Sequence, residues 1–234
     1  MRVLGLIPAR GGSQGVPRKN IKLLHGKPLL AYTADTAQAA QSLAAVVLST
    51  DDAEIAALGR HYGVAVPFLR PAELAQHDTP TLPVVQHAVR WLEEHGDYFD
   101  AVCLLQPTNP LRRAEEIDGC IALLEASGAD AVVTVRPVPH EYNPQWVYWR
   151  DAGGRLALST GAATPIARRQ DLLPAFHRDG SVYVTRRDII MEHNSLYGPC
   201  VLGYVCEQPG HVNIDTPDDW QAAENLLARA GVAL

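Results

Sequence analysis

The segment IPARGGSQGVPRKN, Ile7 to Asn20, gathers the residues best suited to holding an anion. Gly11, Gly12 and Gly15 leave the backbone bare, and exposed amide groups in such a loop form a concave anion site. Arg10, Arg18 and Lys19 flank it with positive charge. Glycines alone serve tight turns as readily as ligands. Glycines with cations, directly after the apolar run Val3 to Ile7, point to a polyphosphate. Two familiar phosphate loops do not fit. A Walker A loop needs Lys-Ser or Lys-Thr after its last glycine, and Gly15 is followed by Val16 and Pro17. A dinucleotide fingerprint needs Gly-x-Gly-x-x-Gly opening into a helix, which this glycine spacing and Pro17 do not supply.

A second group lies near the other end of the chain. HVNIDTPDDW places Asp215 between an extended segment and a final helix. A carboxylate there can hold a Mg2+ whose other ligands are phosphate oxygens and water; it can equally cap the helix. RRQDLLPAFHRDG gathers Arg168, Arg169, His177 and Arg178. Such a cluster suits a substrate carboxylate, which arginine can pair with bidentately, or is a solvated basic turn. Arg70, after an extended segment, could meet a base, a phosphate or solvent. No Ser-His-Asp ordering stands out. The nine histidines show no metal-ligand spacing, and His61, His87 and His95 read as ordinary helix histidines.

These groups need elements to position them. Val3–Ile7, Ala44–Thr50, Asp100–Gln106 and Ala129–Val135 are apolar throughout and read as buried strands. Helices are expected from Pro28 to about Gln41, from an Asp51 N-cap with Glu54 as its capping-box partner to Gly63, from Thr81 to His95, and from Ala114 to Ser127. Apolar strands alternating with helices predict an α/β fold with a mostly parallel central sheet flanked by helices. Ligands on such sheets bind beyond the carboxyl ends of the strands. The glycine loop, Ser49-Thr50-Asp51 and Gln106-Pro107-Thr108 all fall there. From Pro137 to about Gln170 the alternation lapses into an aromatic-rich excursion with an apparent hairpin turn at Asp151–Gly154. Its expected uses are covering the site and packing on another subunit, since aromatic residues are enriched in interfaces. SVYVT, a short helix from Arg186, GPCVLGYV and a helix from Pro217 to Arg229, capped by Thr216, complete the chain.

At 234 residues the chain is expected to form a single domain spanning 1–234, with 137–170 as its excursion. A net charge of -6 and a pI near 5.8 argue against nucleic acid as a partner, which usually calls for a basic face. No apolar run reaches membrane-spanning length, so no membrane partner is expected. The N-terminus runs straight into a core strand, unlike a signal peptide. Four cysteines without Cys-x-x-Cys spacing suggest a reducing, cytoplasmic setting, with Cys103 and Cys120 as buried thiols.

Taken together, IPARGGSQGVPRKN, LSTDD, RPAELAQHDT, LLQPTNPLR, RRQDLLPAFHRDGSVYV and NIDTPDDW resemble, in order and across most of the chain, the acylneuraminate cytidylyltransferases. The resemblance implies a Rossmann-like nucleotidyltransferase fold and a homodimer whose aromatic-rich dimerisation arm reaches the partner's site. It implies CTP and an acidic nine-carbon sugar as substrates, with CMP passed to the sugar's anomeric hydroxyl and pyrophosphate released. By position it implies that Pro8, Ala9, Arg10, Gly11, Gly12, Lys19, Asn20, Arg70 and Thr81 hold the nucleotide. Gln106, Thr108, Arg169, His177 and Tyr183 would line the sugar pocket, and Asp215 would carry Mg2+. Arg10, Lys19 and Asp215 are the expected catalytic set. The chain departs from the family pattern at Gln14, where a lysine is usual, at Asn213, where many relatives have a second aspartate, and at His177, where arginine is frequent. An extra residue falls near Gln76-His77. An eight-carbon ulosonic sugar, or nucleotide binding without turnover, are the alternatives these departures leave open.

Overall fold

The computed structural model describes residues 1–208 and 210–229. The chain runs β1 (Val3–Pro8), a two-rung hairpin β2 (Leu23–Leu24) and β3 (Lys27–Pro28), α1 (Leu29–Ala39), β4 (Ala45–Ser49), α2 (Ala53–His61), α3 (Thr81–Glu94), β5 (Ala101–Leu104), α4 (Ala114–Ser127) and β6 (Ala131–Pro137). There follow a hairpin β7 (Tyr148–Arg150) and β8 (Leu156–Leu158), then β9 (Phe176–Arg186), α5 (Arg187–Met191), β10 (Val201–Val205) and α6 (Pro217–Arg229). Six strands form one sheet in the order β10-β6-β9-β5-β1-β4. Five run parallel; β9 alone is antiparallel to its neighbours β5 and β6. SVYVT is thus the second half of an 11-residue strand that begins at Phe176. It carries His177 and Arg178 alongside Arg136 and Val135.

Side-chain alternation along each strand builds two cores. Val3, Ile7, Leu48, Cys103 and Val184 pack under α1, α2 and α4. Leu4, Leu6, Val47, Val102 and Leu104 pack under α3 and Ile190 of α5. Every residue of β5 is buried, as a strand covered on both faces requires. A third cluster joins Val16 of the glycine loop and Leu24 to Val212, Ile214 and Trp220. Full burial of a side chain such as Ile214 is worth roughly 1.5–3 kcal/mol. This cluster therefore pins the start of α6 beneath the N-terminal loop, across nearly the whole length of the chain.

The N-cap of α2 is a correction. Asp52, not Asp51, accepts the Glu54 and Ile55 amides, which leaves the Asp51 carboxylate to accept Gly11 N at 3.1 Å. Gly63 ends this helix at a φ of +73°, which only glycine adopts without strain. Thr216 and Asp219 cap α6 reciprocally, each side chain accepting the other's amide. In the excursion, β7 and β8 pair through a turn at Asp151–Gly154. Its aromatics do not cluster: Tyr148 and Trp149 are exposed, the latter by 70 %. Among the described residues no helix is long and apolar enough to cross a membrane.

Candidate active site

The parallel strands deliver their ends to one place. Pro8 pairs with Ser49, and Leu6 with Leu104, so the segments after β1, β4 and β5 leave the sheet side by side. Beyond them opens a cleft of about 330 Å³. Pro8, Arg10, Lys19, Asn20, Arg70, Thr81, Gln106, Thr108 and Asp215 line it. Ala9 is buried behind the wall, donating to Ser49 O at 2.9 Å. Gly11 is held by Asp51, and an added Cβ on Gly12 would meet open space.

The glycine loop and the distant acid meet directly. Lys19 Nζ lies 2.7 Å from Ile214 O and 3.1 Å from Asp215 Oδ1. A Cβ on Gly15 would fall inside van der Waals contact with the Asp215 carbonyl oxygen, so no other residue fits there unless the backbone moves. Arg10 Nη1 donates to Gln76 O at 2.6 Å, bridging to the 70–80 segment, which also contributes His77 and Thr79 to the wall. Asn20, 6 % exposed, donates to Arg10 O and braces the loop from within. Arg18 does not face the cleft as a free cation: its guanidinium pairs with Asp52 and Glu54.

Arg70 enters from the opposite wall. It donates to Ser49 O at 3.1 Å and is 6 % exposed. Burial lowers its pKa, offset in part by Asp51. Among the described residues, Arg70 Nε, Thr108 Oγ1 and Ser49 Oγ are buried without a partner. Unpaired buried polar atoms are uncommon in folded proteins; two of these three belong to residues of the cleft wall, where a bound polar ligand can satisfy them.

Three expected sugar-pocket residues, Arg169, His177 and Tyr183, are not among those that line this cleft within one chain. Arg169 is exposed on a 3-10 turn, and His177 is exposed at the outer end of β9. Arg169 precedes β9, whereas His177 is in the sheet opposite Arg136. Tyr183 is half-buried on the α3–α5 face, its ring 6.3 Å from that of Tyr197.

Among the described residues no group of three or more His, Cys, Asp or Glu side chains could hold a metal. Asp215 offers one carboxylate, 63 % exposed, whose Oδ2 accepts from Asn213 Nδ2. This donor set suits a Mg2+ that takes most of its ligands from phosphates and water, and no other kind of Mg2+ site.

Residues not anticipated from the letters include Gln76, His77 and Thr79, and the fully buried Arg112. The last closes LLQPTNPLR, where a charge directly after Leu111, at the end of the turn that follows the strand, was the available signal.

A family model described as cytidylyltransferase matches residues 4–203. A CMP-N,N'-diacetyllegionaminic acid synthase of Legionella pneumophila is 33 % identical over 231 residues, covering 97 % of each chain. A pseudaminic acid cytidylyltransferase of Campylobacter jejuni is 29 % identical over 97 % of this chain and 96 % of its own. The solved structure of a CMP:2-keto-3-deoxy-manno-octonic acid synthetase complexed with CTP superimposes with a TM-score of 0.73 at 16 % identity, covering 98 % of this chain and 100 % of that one. With the glycine loop, the cleft at the strand ends and these relatives in agreement, the chain belongs to the acylneuraminate cytidylyltransferase family of CTP-using nucleotidyltransferases.

Proposed function

We propose that this enzyme transfers CMP from CTP to the anomeric hydroxyl of a nonulosonic acid of the sialic-acid type. The observation that carries the reading is the Lys19–Asp215 contact, which sets a cation and a carboxylate at one cleft mouth beside the glycine loop. In the reaction the sugar's anomeric oxygen forms a bond to the α-phosphorus of CTP, the α–β bridging P–O bond breaks, and pyrophosphate leaves. The hydroxyl proton passes to water. Little covalent work falls to the protein; its contribution is positioning and charge neutralisation. Lys19, Arg10 and the loop amides face the departing pyrophosphate, Arg70 and Asn20 the nucleoside, and Gln106 and Thr108 the sugar. Mg2+, when held by Asp215, would supply charge neutralisation at the phosphates and acidify the attacking hydroxyl.

The nine-carbon acceptor rests on the names of the relatives, which cover legionaminic, pseudaminic and N-acylneuraminic acids. An eight-carbon ulosonic acid is the second reading, favoured by the fold likeness to the octonic acid synthetase. We read the parallel half of the sheet as Rossmann-like, because Ala65 bridges to Val47 outside β4 and extends the order to four neighbours. A homodimer belongs to the same proposal: the exposed Trp149 and Leu156 of the excursion suit a contact with a second copy, which would bring Arg169 and His177 toward that copy's cleft. Four unpaired thiols, three of them buried, support a cytoplasmic setting.

Pyrophosphate release from CTP with a panel of sialic, legionaminic, pseudaminic and eight-carbon ulosonic acids tests the assignment. Turnover confined to nine-carbon acids is expected. Preference for the eight-carbon acid would transfer the enzyme to the second reading, and silence with all of them would remove both.

A further inference from the structure

Arg112 is 4 % exposed, and each arm of its guanidinium is spoken for. Nε donates to Ser181 O of β9 at 2.7 Å, Nη1 to Thr33 Oγ1 of α1 at 2.9 Å, and Nη2 to the carbonyl of Gln106. All three acceptors are neutral, and among the described residues no carboxylate pairs with it. Burial lowers its pKa to about 10, so it stays charged at neutral pH. Glu116 and Asp179 act on it only from a distance; a buried charge with no hydrogen-bonded carboxylate is a poor source of stability, and an apolar side chain of similar volume would often serve the fold as well. What an apolar side chain cannot supply is a rigid planar fork that fixes three acceptors at set angles.

One of those acceptors begins the turn that Arg112 ends. Gln106 O at the start is clasped by the side chain from its end. Between them, Thr108 O accepts Ile214 N at 2.8 Å, and Asn109 Oδ1 accepts Leu111 N at 3.1 Å. Asn109 Nδ2 lies 3.2 Å from His211 Nδ1. The turn is thus held at Gln106 O, Thr108 O and Leu111 N, while the side chains of Gln106 and Thr108 are left to the cleft and, among the described residues, Thr108 Oγ1 has no partner.

We infer that Arg112 is a positioning residue: its guanidinium holds the Gln106–Thr108 turn in the geometry at which the acceptor sugar is met. The inference rests on the proposed cytidylyl transfer for the identity of that acceptor. The nucleotide wall is braced separately, by Asn20 on Arg10 and by Arg70 on Ser49. A disturbed turn therefore separates the two substrates.

Arg112→Lys keeps the charge and loses the fork. CTP affinity by calorimetry should stay near that of the parent. The kcat/KM for the acceptor should fall about a hundredfold, the loss that an ångström-sized misplacement brings. Amide hydrogen exchange over residues 106–111 should quicken while α3 keeps its protection. Unchanged acceptor kinetics with unchanged exchange would overturn the inference. So would an equal loss of CTP affinity, which is what a general structural role produces. If Arg112→Lys does not fold, Thr33→Val removes one acceptor without emptying the site and should shift the same readouts in the same direction. If the parent turns over no ulosonic acid at all, the substrate assignment fails, and hydrogen exchange alone decides the role of Arg112.

Discussion

Lys19 Nζ and Asp215 Oδ1 lie 3.1 Å apart, although 196 residues separate them in the chain. The two are unequally placed: the lysine side chain is 14 % exposed and the aspartate 63 %. The amine is also tied to the Ile214 carbonyl, so its position is set by the backbone of the α6 entry and not by the carboxylate alone. The carboxylate is consequently the freer partner, able to turn toward a ligand without unmooring the lysine.

Asp215→Ala should abolish pyrophosphate release while leaving the fold intact. The side chain is solvent-facing, and the lost pair belongs to a class worth about 0–1 kcal/mol. Turnover assays in Mg2+ alongside thermal melting check this. Near-parent activity would remove Asp215 from the reaction, and a collapsed melting curve would make it structural.

Lys19→Ala and Arg18→Ala should part company. Lys19 faces the cleft, and its loss should reduce kcat on the order of a hundredfold or more, as removing one preorganised charge-stabilising donor does. Arg18 is committed to Asp52 and Glu54 on α2, so its loss should leave turnover close to that of the parent. Equal defects in the two variants would mean that the loop rearranges when the nucleotide binds.

Gly15→Ala should act on both ends of the chain at once. The new methyl group meets the Asp215 carbonyl, and backbone cannot step aside as a flexible side chain can. Forced shifts of this kind cost about 1–3 kcal/mol. Melting should fall accordingly and CTP affinity should weaken with it, whereas Gly12→Ala, whose methyl group meets no protein atom, should leave melting unchanged. Calorimetry on the two variants decides.

Acid should loosen the loop through Asp52. Burial raises its carboxyl pKa, but the Ile55 amide, Arg18 and the Glu54 amide outweigh burial and hold it below its ordinary value of 3.8. Because the unfolded chain binds this proton more readily, the contribution is complete above that ordinary value and is lost as pH falls through the lower folded one. Melting temperature followed downward from about pH 5 should drop less steeply in Asp52→Asn than in the parent. Parallel curves would show that Asp52 carries none of the acid sensitivity.

Much of this was legible in the letters because it is local. Unbroken apolar runs mark strands buried on both faces, and bare glycines beside cations mark an anion loop, whatever the rest of the chain does. The order of six signatures also sufficed to place the chain among cytidylyltransferases. Neighbouring acids were beyond that reach: Asp51 and Asp52 differ only in which way the chain turns after β4. Arg18 and Lys19 were likewise indistinguishable as letters, and packing sent one to α2 and the other to the cleft. The antiparallel sense of β9, which carries His177 at its outer end, depends on pairing with β5 and β6 and leaves no mark in its own residues. The meeting of Gly15 with Asp215 and the clasp of Arg112 on Gln106 were decided only by the tertiary structure. Contacts between distant segments follow from how the cores close, and no local pattern encodes that.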